Sequence, residues 1–165
     1  MPYFDYMKKI IKELIPYLII IVVVVTIRIF VVTPVQVSGD SMYPTLKNKE
    51  ILLLKKYDKS YKRFDIVVLN YDNDRLIKRI IGLPGETVKI ENDKLYINGK
   101  YVKQNFKRNS KTNDYEYYKK IPKNYYFVMG DNRNNSTDSR IIGPVYKGDI
   151  KGVIGFSIIP FKSIK

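Results

Sequence analysis

The run Leu14 to Val32, LIPYLIIIVVVVTIRIFVV, constrains this chain more than any other feature. It holds 19 residues and a single charge, Arg28. A strand seldom exceeds about 10 residues, whereas a helix crossing a bilayer needs about 20 mostly apolar ones. The length therefore predicts a transmembrane helix over 14–32. The β-branched residues Ile19 to Val25 leave a buried strand as the alternative. Arg28 lies near the far end, where its long stem can carry the charge to the headgroups. Lys8, Lys9 and Lys12 precede the run, and positive charge on a short flank predicts that residues 1–13 stay in the cytoplasm. Residues 33–165 are then extracytoplasmic. The run ends on bulky Ile29, Phe30, Val31 and Val32, then Thr33-Pro34, with no small-x-small cleavage site. It reads as an uncleaved signal anchor.

After the anchor, short apolar segments alternate with turn signals. Glu50 to Lys56, Asp65 to Asn70, Tyr125 to Met129 and Asp149 to Ile159 read as strands. Thr87 to Val102 reads as a meander of three strands, turned at Asn92-Asp93 and Asn98-Gly99. Lys103 to Lys123 is polar and reads as a mobile or edge segment. No long amphipathic helix follows Val32. The expected fold class is mainly β: one N-terminal transmembrane helix, then a compact all-β domain.

Composition narrows the chemistry. The chain has no His and no Cys. A Ser-His-Asp triad, a thiol nucleophile and a zinc-thiolate site are all excluded. A general base must come from Asp, Glu, Lys or Tyr with a shifted pKa. The net charge of +14 fits a basic solvated surface or a domain lying against an anionic membrane. No helix-turn-helix, zinc-finger or RNP pattern points to nucleic acid.

Four segments carry candidate chemistry: GDSMYPTL (39–46), RFDIVV (63–68), LIKRIIGLPGE (76–86) and MGDNRNNSTDSR (129–140). Ser41 sits on a Gly-flanked turn before a proline, which lifts its hydroxyl out of the surface and leaves its amide free. A hydroxyl needs a base beside it. Lys78 is the attractive one, because it lies in an apolar run and burial lowers an amine's pKa. Neighbouring strand residues face opposite sides, so one of Lys78 and Arg79 is expected inside and the other in solvent. The pattern alone equally allows both on an exposed edge strand. The 129–140 segment is either a solvated turn or a polar shell holding a buried amine. In the second reading, Ser136 hydrogen-bonds Lys78, and Asp138 pairs with Arg140. The acidic spacing does not fit an EF-hand.

These four segments, in this order behind one anchor, resemble the boxes of type I signal peptidases. The resemblance covers essentially the whole chain. It implies that Ser41 is the acylating nucleophile and Lys78 the general base. Ser136 would orient the lysine amine, with Asp138 and Arg140 supporting its loop. The Ser41 backbone N–H would bind the oxyanion. Some members add a hydroxyl two residues before the nucleophile. Gly39 stands there in this chain, as in the Gram-positive branch, and leaves the second donor unassigned. Phe64 and Glu86 are smaller departures from the pattern. The implied partners are secretory preproteins, cut after small residues at −1 and −3, the membrane lipid surface, and the export translocon. No cofactor, metal or nucleic acid is implied. With about eight residues between Val32 and Ser41, the site lies close to the bilayer, and Met42 and Tyr43 are expected to form an apolar contact there.

Two rivals remain at this level. A self-cleaving repressor-type peptidase shares the serine-lysine chemistry, but would carry a DNA-binding domain in place of the anchor. A specialised or non-catalytic homologue would act in assembly of secreted polymers such as pili. Retention of both Ser41 and Lys78 argues against an idle homologue.

Overall fold

A computed structural model describes residues 2–57 and 59–164; Met1 and Lys165, the outermost residues of the expected terminal segments, and Asp58 lie outside it. The chain opens with helix α1, Pro2–Phe30. Its part Tyr6–Phe30 has a mean hydropathy of 2.5 and buries none of its residues against the protein. A helix of this length, apolar all round and unburied along this stretch, is long and apolar enough to cross a membrane.

The helix differs from the expected 14–32 span at both ends. It starts earlier, running through Lys8, Lys9 and Lys12, and ends at Phe30. Val32 already belongs to a strand, because Pro34 disfavours helix at Thr33 and the sheet offers partners instead. Val32 to Gln36 pair antiparallel with Lys55 to Ile51. The helix's last carbonyls are capped from the domain. Lys56 Nζ donates to Arg28 O at 3.4 Å and to Ile29 O at 3.2 Å, and Thr33 Oγ1 donates to Arg28 O at 3.0 Å.

The strands are β1 (Val32–Gln36), β2 (Ile51–Lys55), β3 (Ile66–Tyr71), β4 (Asp74–Gly82), β5 (Val88–Glu91), β6 (Lys94–Ile97), β7 (Lys100–Val102), β8 (Tyr115–Tyr117), β9 (Tyr125–Met129), β10 (Val145–Tyr146), β11 (Ile150–Ile159) and β12 (Lys162–Ser163). A one-turn helix α2 (Ser139–Ile142) precedes β10. One sheet runs β1-β2-β11-β3-β4-β9-β10, with β12 added to β11. The second runs β7-β6-β5-β8. The β5-β6-β7 meander matches the expectation, with left-handed backbone at Asn92, Asp93, Asn98 and Gly99 forming its two hairpin turns. The polar 103–123 stretch supplies the edge strand β8, paired to β5.

Three apolar clusters hold the domain. Ile80 packs with Val67, Val128 and Tyr126, while its neighbour Ile81 packs with Val88, Leu95 and Phe127. From Ile77 to Gly82, β4 is therefore dry on both faces, because the second sheet covers what would otherwise be its solvent side. The third cluster joins Met42 and Leu46 to Leu52, Leu54 and Ile77. It ties the turn that carries Ser41 to the sheet.

Candidate active site

The Ser41 turn is built from the core outward. Gly39 adopts φ 86°, the left-handed region that favours glycine. Met42 and Leu46 then plunge into the core, which leaves Ser41 at the surface between them and Gly39. Met42 thus makes no membrane contact as expected from sequence: the turn needs it as an anchor. Of the two, Tyr43 remains exposed. The loop after β9 clamps the turn. Asn132 donates its backbone N–H to Ser41 O at 3.0 Å and its Nδ2 to Asp40 O at 3.1 Å. Thr45 Oγ1 donates to Asp131 Oδ2 at 2.5 Å.

Strand β4 delivers Lys78 to this turn. Lys78 is 2 % exposed, and its Nζ donates to Ser41 Oγ at 2.7 Å. Burial pushes its pKa down from 10.5 to about 8, with Asp138 opposing and Arg140 assisting the shift. The neutral amine is then reachable near physiological pH, and the same contact reverses, Ser41 O–H donating to the Lys78 lone pair.

Arg79 corrects the expectation that one of this pair meets solvent. It is 1 % exposed. Its Nε and Nη2 grip Asp131 at 2.9 and 2.7 Å, and its Nη1 donates to Phe64 O at 2.8 Å. The guanidinium stacks on Phe106, 4.1 Å from the ring centroid. Alternation holds, since the two side chains diverge; but both faces of β4 are covered. Asp131 thus joins Arg79 on one side to the Ser41 turn, through Thr45, on the other. Arg133 is buried as well, donating to Gly130 O, Thr112 Oγ1 and Gln104 Oε1. Burial, then repulsion from Arg108, lowers its pKa to about 10, so it stays charged at neutral pH.

Asp138 and Arg140 pair as expected. Arg140 Nε and Nη2 each donate to the Asp138 carboxylate at 2.9 Å, and Gly130 N–H donates to Asp138 Oδ2 at 2.9 Å. Burial alone would raise the Asp138 pKa, but these donors hold it below the usual 3.8. Ser136 does not make the expected hydrogen bond to Lys78. Its hydroxyl is buried and meets no partner at hydrogen-bond geometry among the described residues, although it lies close enough to Asp138 to help keep that carboxyl ionised. Gly130 leaves no room for a side chain there: a β-carbon on it would run into Ser136 Oγ and Ser41 O.

Ser41 and Lys78 open into a cleft of about 540 Å³ bounded by β1, by the chain from Val37 to Met42, and by Asp74 to Lys78 of β4. Two strand edges face it unpaired. Among the described residues, β1 pairs only with β2, and β9 reaches β4 only over Arg79 to Gly82. Residues 8–159 match the family described as signal peptidase, peptidase S26. The chain belongs to this family. It is 44% identical over 161 residues to signal peptidase I S of Bacillus subtilis (strain 168), covering 89% of this chain and 88% of the relative. It is equally 44% identical to a signal peptidase I of Bacillus amyloliquefaciens, over 90% of this chain and 87% of the relative. A signal peptidase I from Enterococcus faecalis V583 shares the fold, with a TM-score of 0.52 and 37% identity over 57% of this chain and 96% of that one.

Within this S26 peptidase, the Ser41 N–H donates to no protein acceptor among the described residues, which leaves it free to receive an anion. Gly39 presents no side chain there, and its N–H is taken by Asn48 Oδ1 at 3.2 Å. Among the described residues no three His, Cys, Asp or Glu side chains converge on a metal position. Sequence reasoning assigned no role to Arg79, Asp131 or Asn132. The available signal was a charge at 79 beside Lys78, and a carboxylate and an amide directly after an apolar strand.

Proposed function

We propose that Ser41 and Lys78 are the nucleophile and general base with which this membrane-anchored S26 serine endopeptidase removes signal peptides from preproteins. The 2.7 Å contact between Ser41 Oγ and the buried Lys78 Nζ carries the reading. An extended peptide lies in the cleft and pairs with the free edges of β1 and β4. Small residues at −1 and −3 let it approach Ser41. Neutral Lys78 takes the Ser41 proton as Oγ attacks the scissile carbonyl carbon. The Ser41 N–H donates to the developing oxyanion, an interaction worth a few kcal/mol at the transition state. Lys78 ammonium then protonates the leaving amine. The C–N bond breaks, the mature chain departs, and the signal peptide remains as an ester on Ser41. Lys78 next removes a proton from water, which attacks the ester and frees the signal peptide and the Ser41 hydroxyl.

The supporting shell follows from the contacts. Asp138 and Arg140 fix the loop that runs from Gly130, and they set part of the field on Lys78. Ser136 is positioned by that loop and orients the lysine amine once substrate tightens the site. The apolar part of α1, from Leu14 to Phe30, crosses the membrane once, residues 1–13 stay in the cytoplasm behind Lys8, Lys9 and Lys12, and residues 33–165 work outside against the lipid surface and the export translocon. A polymer-assembly role without catalysis has no feature of the site in its favour, since the two reacting groups are in contact.

The test is cleavage of a preprotein with Ala at −1 and −3, in detergent, by wild type, Ser41→Ala and Lys78→Ala. Both variants are expected to lose cleavage while keeping their thermal melting. Full activity in either removes the proposed dyad. Protease added outside spheroplasts is expected to digest residues 33–165; complete protection contradicts the orientation.

A further inference from the structure

A second cleft, of about 480 Å³, lies where α1 meets the large sheet. Ile29 and Phe30 of the helix and Leu54 of β2 give it an apolar wall. Lys56, Lys59, Arg75 and Lys151 line it as well. No described carboxylate does so: Asp74 and Asp149, the acidic neighbours of Arg75 and Lys151 along their elements, line other clefts. Lys56 is occupied in capping the helix carbonyls. Lys59, Arg75 and Lys151 are exposed and form no ion pair among the described residues.

Position gives this cleft its meaning. It sits at the last turn of the apolar helix, the level at which a spanning segment passes from acyl chains to headgroups. A concave site with apolar walls and convergent cations at that depth matches one kind of molecule, an amphiphile with an anionic head. We propose that it binds the headgroup phosphate of an anionic phospholipid from the outer leaflet, with the lipid's acyl chains lying along α1. The proposal rests on the reading that α1 spans the membrane. Val35, Val68 and Arg75 line this cleft and the Ser41 cleft alike. A bound headgroup therefore sits beside the substrate path and sets the height of Ser41 above the bilayer.

The test uses the full chain in mild nonionic detergent, with equal amounts of phosphatidylglycerol and phosphatidylcholine added, and counts the lipid retained by native mass spectrometry. Wild type is expected to retain phosphatidylglycerol preferentially. Each cation near an anionic surface is worth a factor of about five, so Lys59→Gln/Lys151→Gln is expected to lower that preference roughly 30-fold with melting unchanged. The control Lys94→Gln/Lys100→Gln, on the distant β6-β7 hairpin, is expected to keep it. No preference in wild type overturns the proposal. An equal loss in the control also overturns it, by showing diffuse attraction to a basic protein. Complete displacement of the lipid by the same concentration of inorganic phosphate overturns it too, by showing a free-anion site. Because the readout is bound lipid, failure here leaves the dyad untouched; complete protection in the spheroplast experiment instead contradicts the orientation and with it the outer-leaflet placement.

Discussion

Replacing Gly130 by Ala places a methyl group between the nucleophile turn and the loop that supports the base. The new β-carbon would lie 2.5 Å from Ser41 O and 2.3 Å from Ser136 Oγ. A carbon and an oxygen ordinarily approach to about 3.3 Å, so something must yield by roughly 0.8 Å. The Ser136 side chain can rotate, but the Ser41 carbonyl is backbone, held by Asn132 N–H at 3.0 Å. Moving that carbonyl moves Ser41 Oγ with it. A shift of this size carries the 2.7 Å contact with Lys78 to about 3.5 Å, outside hydrogen-bond range. A misplacement of about 1 Å in a catalytic group costs on the order of 100-fold. The expected fall in kcat/KM for preprotein cleavage is therefore roughly 30- to 100-fold. The overpacking itself costs about 1–3 kcal/mol of stability, which thermal melting in the same detergent measures separately. A folded Gly130→Ala enzyme within about threefold of wild type would show that the Ser41 turn does not depend on this contact.

Asp131→Ala leaves the Arg79 guanidinium buried without its carboxylate, a loss of about 3–5 kcal/mol; denaturation in detergent should show it, and Arg79→Met/Asp131→Leu should recover part of it. Lys78 has its pKa lowered to about 8 from 10.5, so between these values the unfolded chain binds more protons and wild-type stability rises with pH. Lys78→Met should abolish cleavage yet gain roughly 3 kcal/mol of stability at pH 7, and the gain should vanish above about pH 10.5. Asp138 has a depressed pKa, so its contribution is present above the ordinary carboxylate value and lost as pH falls through the lower folded one; melting followed from pH 5 to pH 2 should fall less steeply in Asp138→Asn than in wild type.

Much of this architecture is legible because local rules settle it. Asn92-Asp93 and Asn98-Gly99 favour the left-handed backbone of hairpin turns, and the meander between them follows. The length of the apolar run marks the anchor, but not its ends. Pro34 and the partners offered by β2 draw Val32 into the sheet. The Asp138–Arg140 pair lies two residues apart, and proximity alone brings it together. Long-range contacts are what the sequence leaves hidden. The period-2 rule separates Lys78 from Arg79, yet it assumes one wet face, and the second sheet removes that face. The pairing of Arg79 with Asp131 spans 52 residues, and no local pattern announces it. Met42 looks like a surface residue beside a nucleophile until the turn's need for an anchor is seen. Ser136 reaches the right neighbourhood, while its expected bond to Lys78 depends on side-chain geometry that residue order does not encode.

The central claim is that a buried, desolvated lysine is the base for Ser41. The pH dependence of kcat/KM for preprotein cleavage tests it most directly, because the free enzyme's base controls its acid limb. With the Lys78 pKa lowered to about 8, activity should rise about tenfold per pH unit below that value and level off above it. A half-maximum near pH 4 to 6, or a flat profile from pH 5 to 9, would assign the base to a carboxylate or to none, and would contradict the dyad.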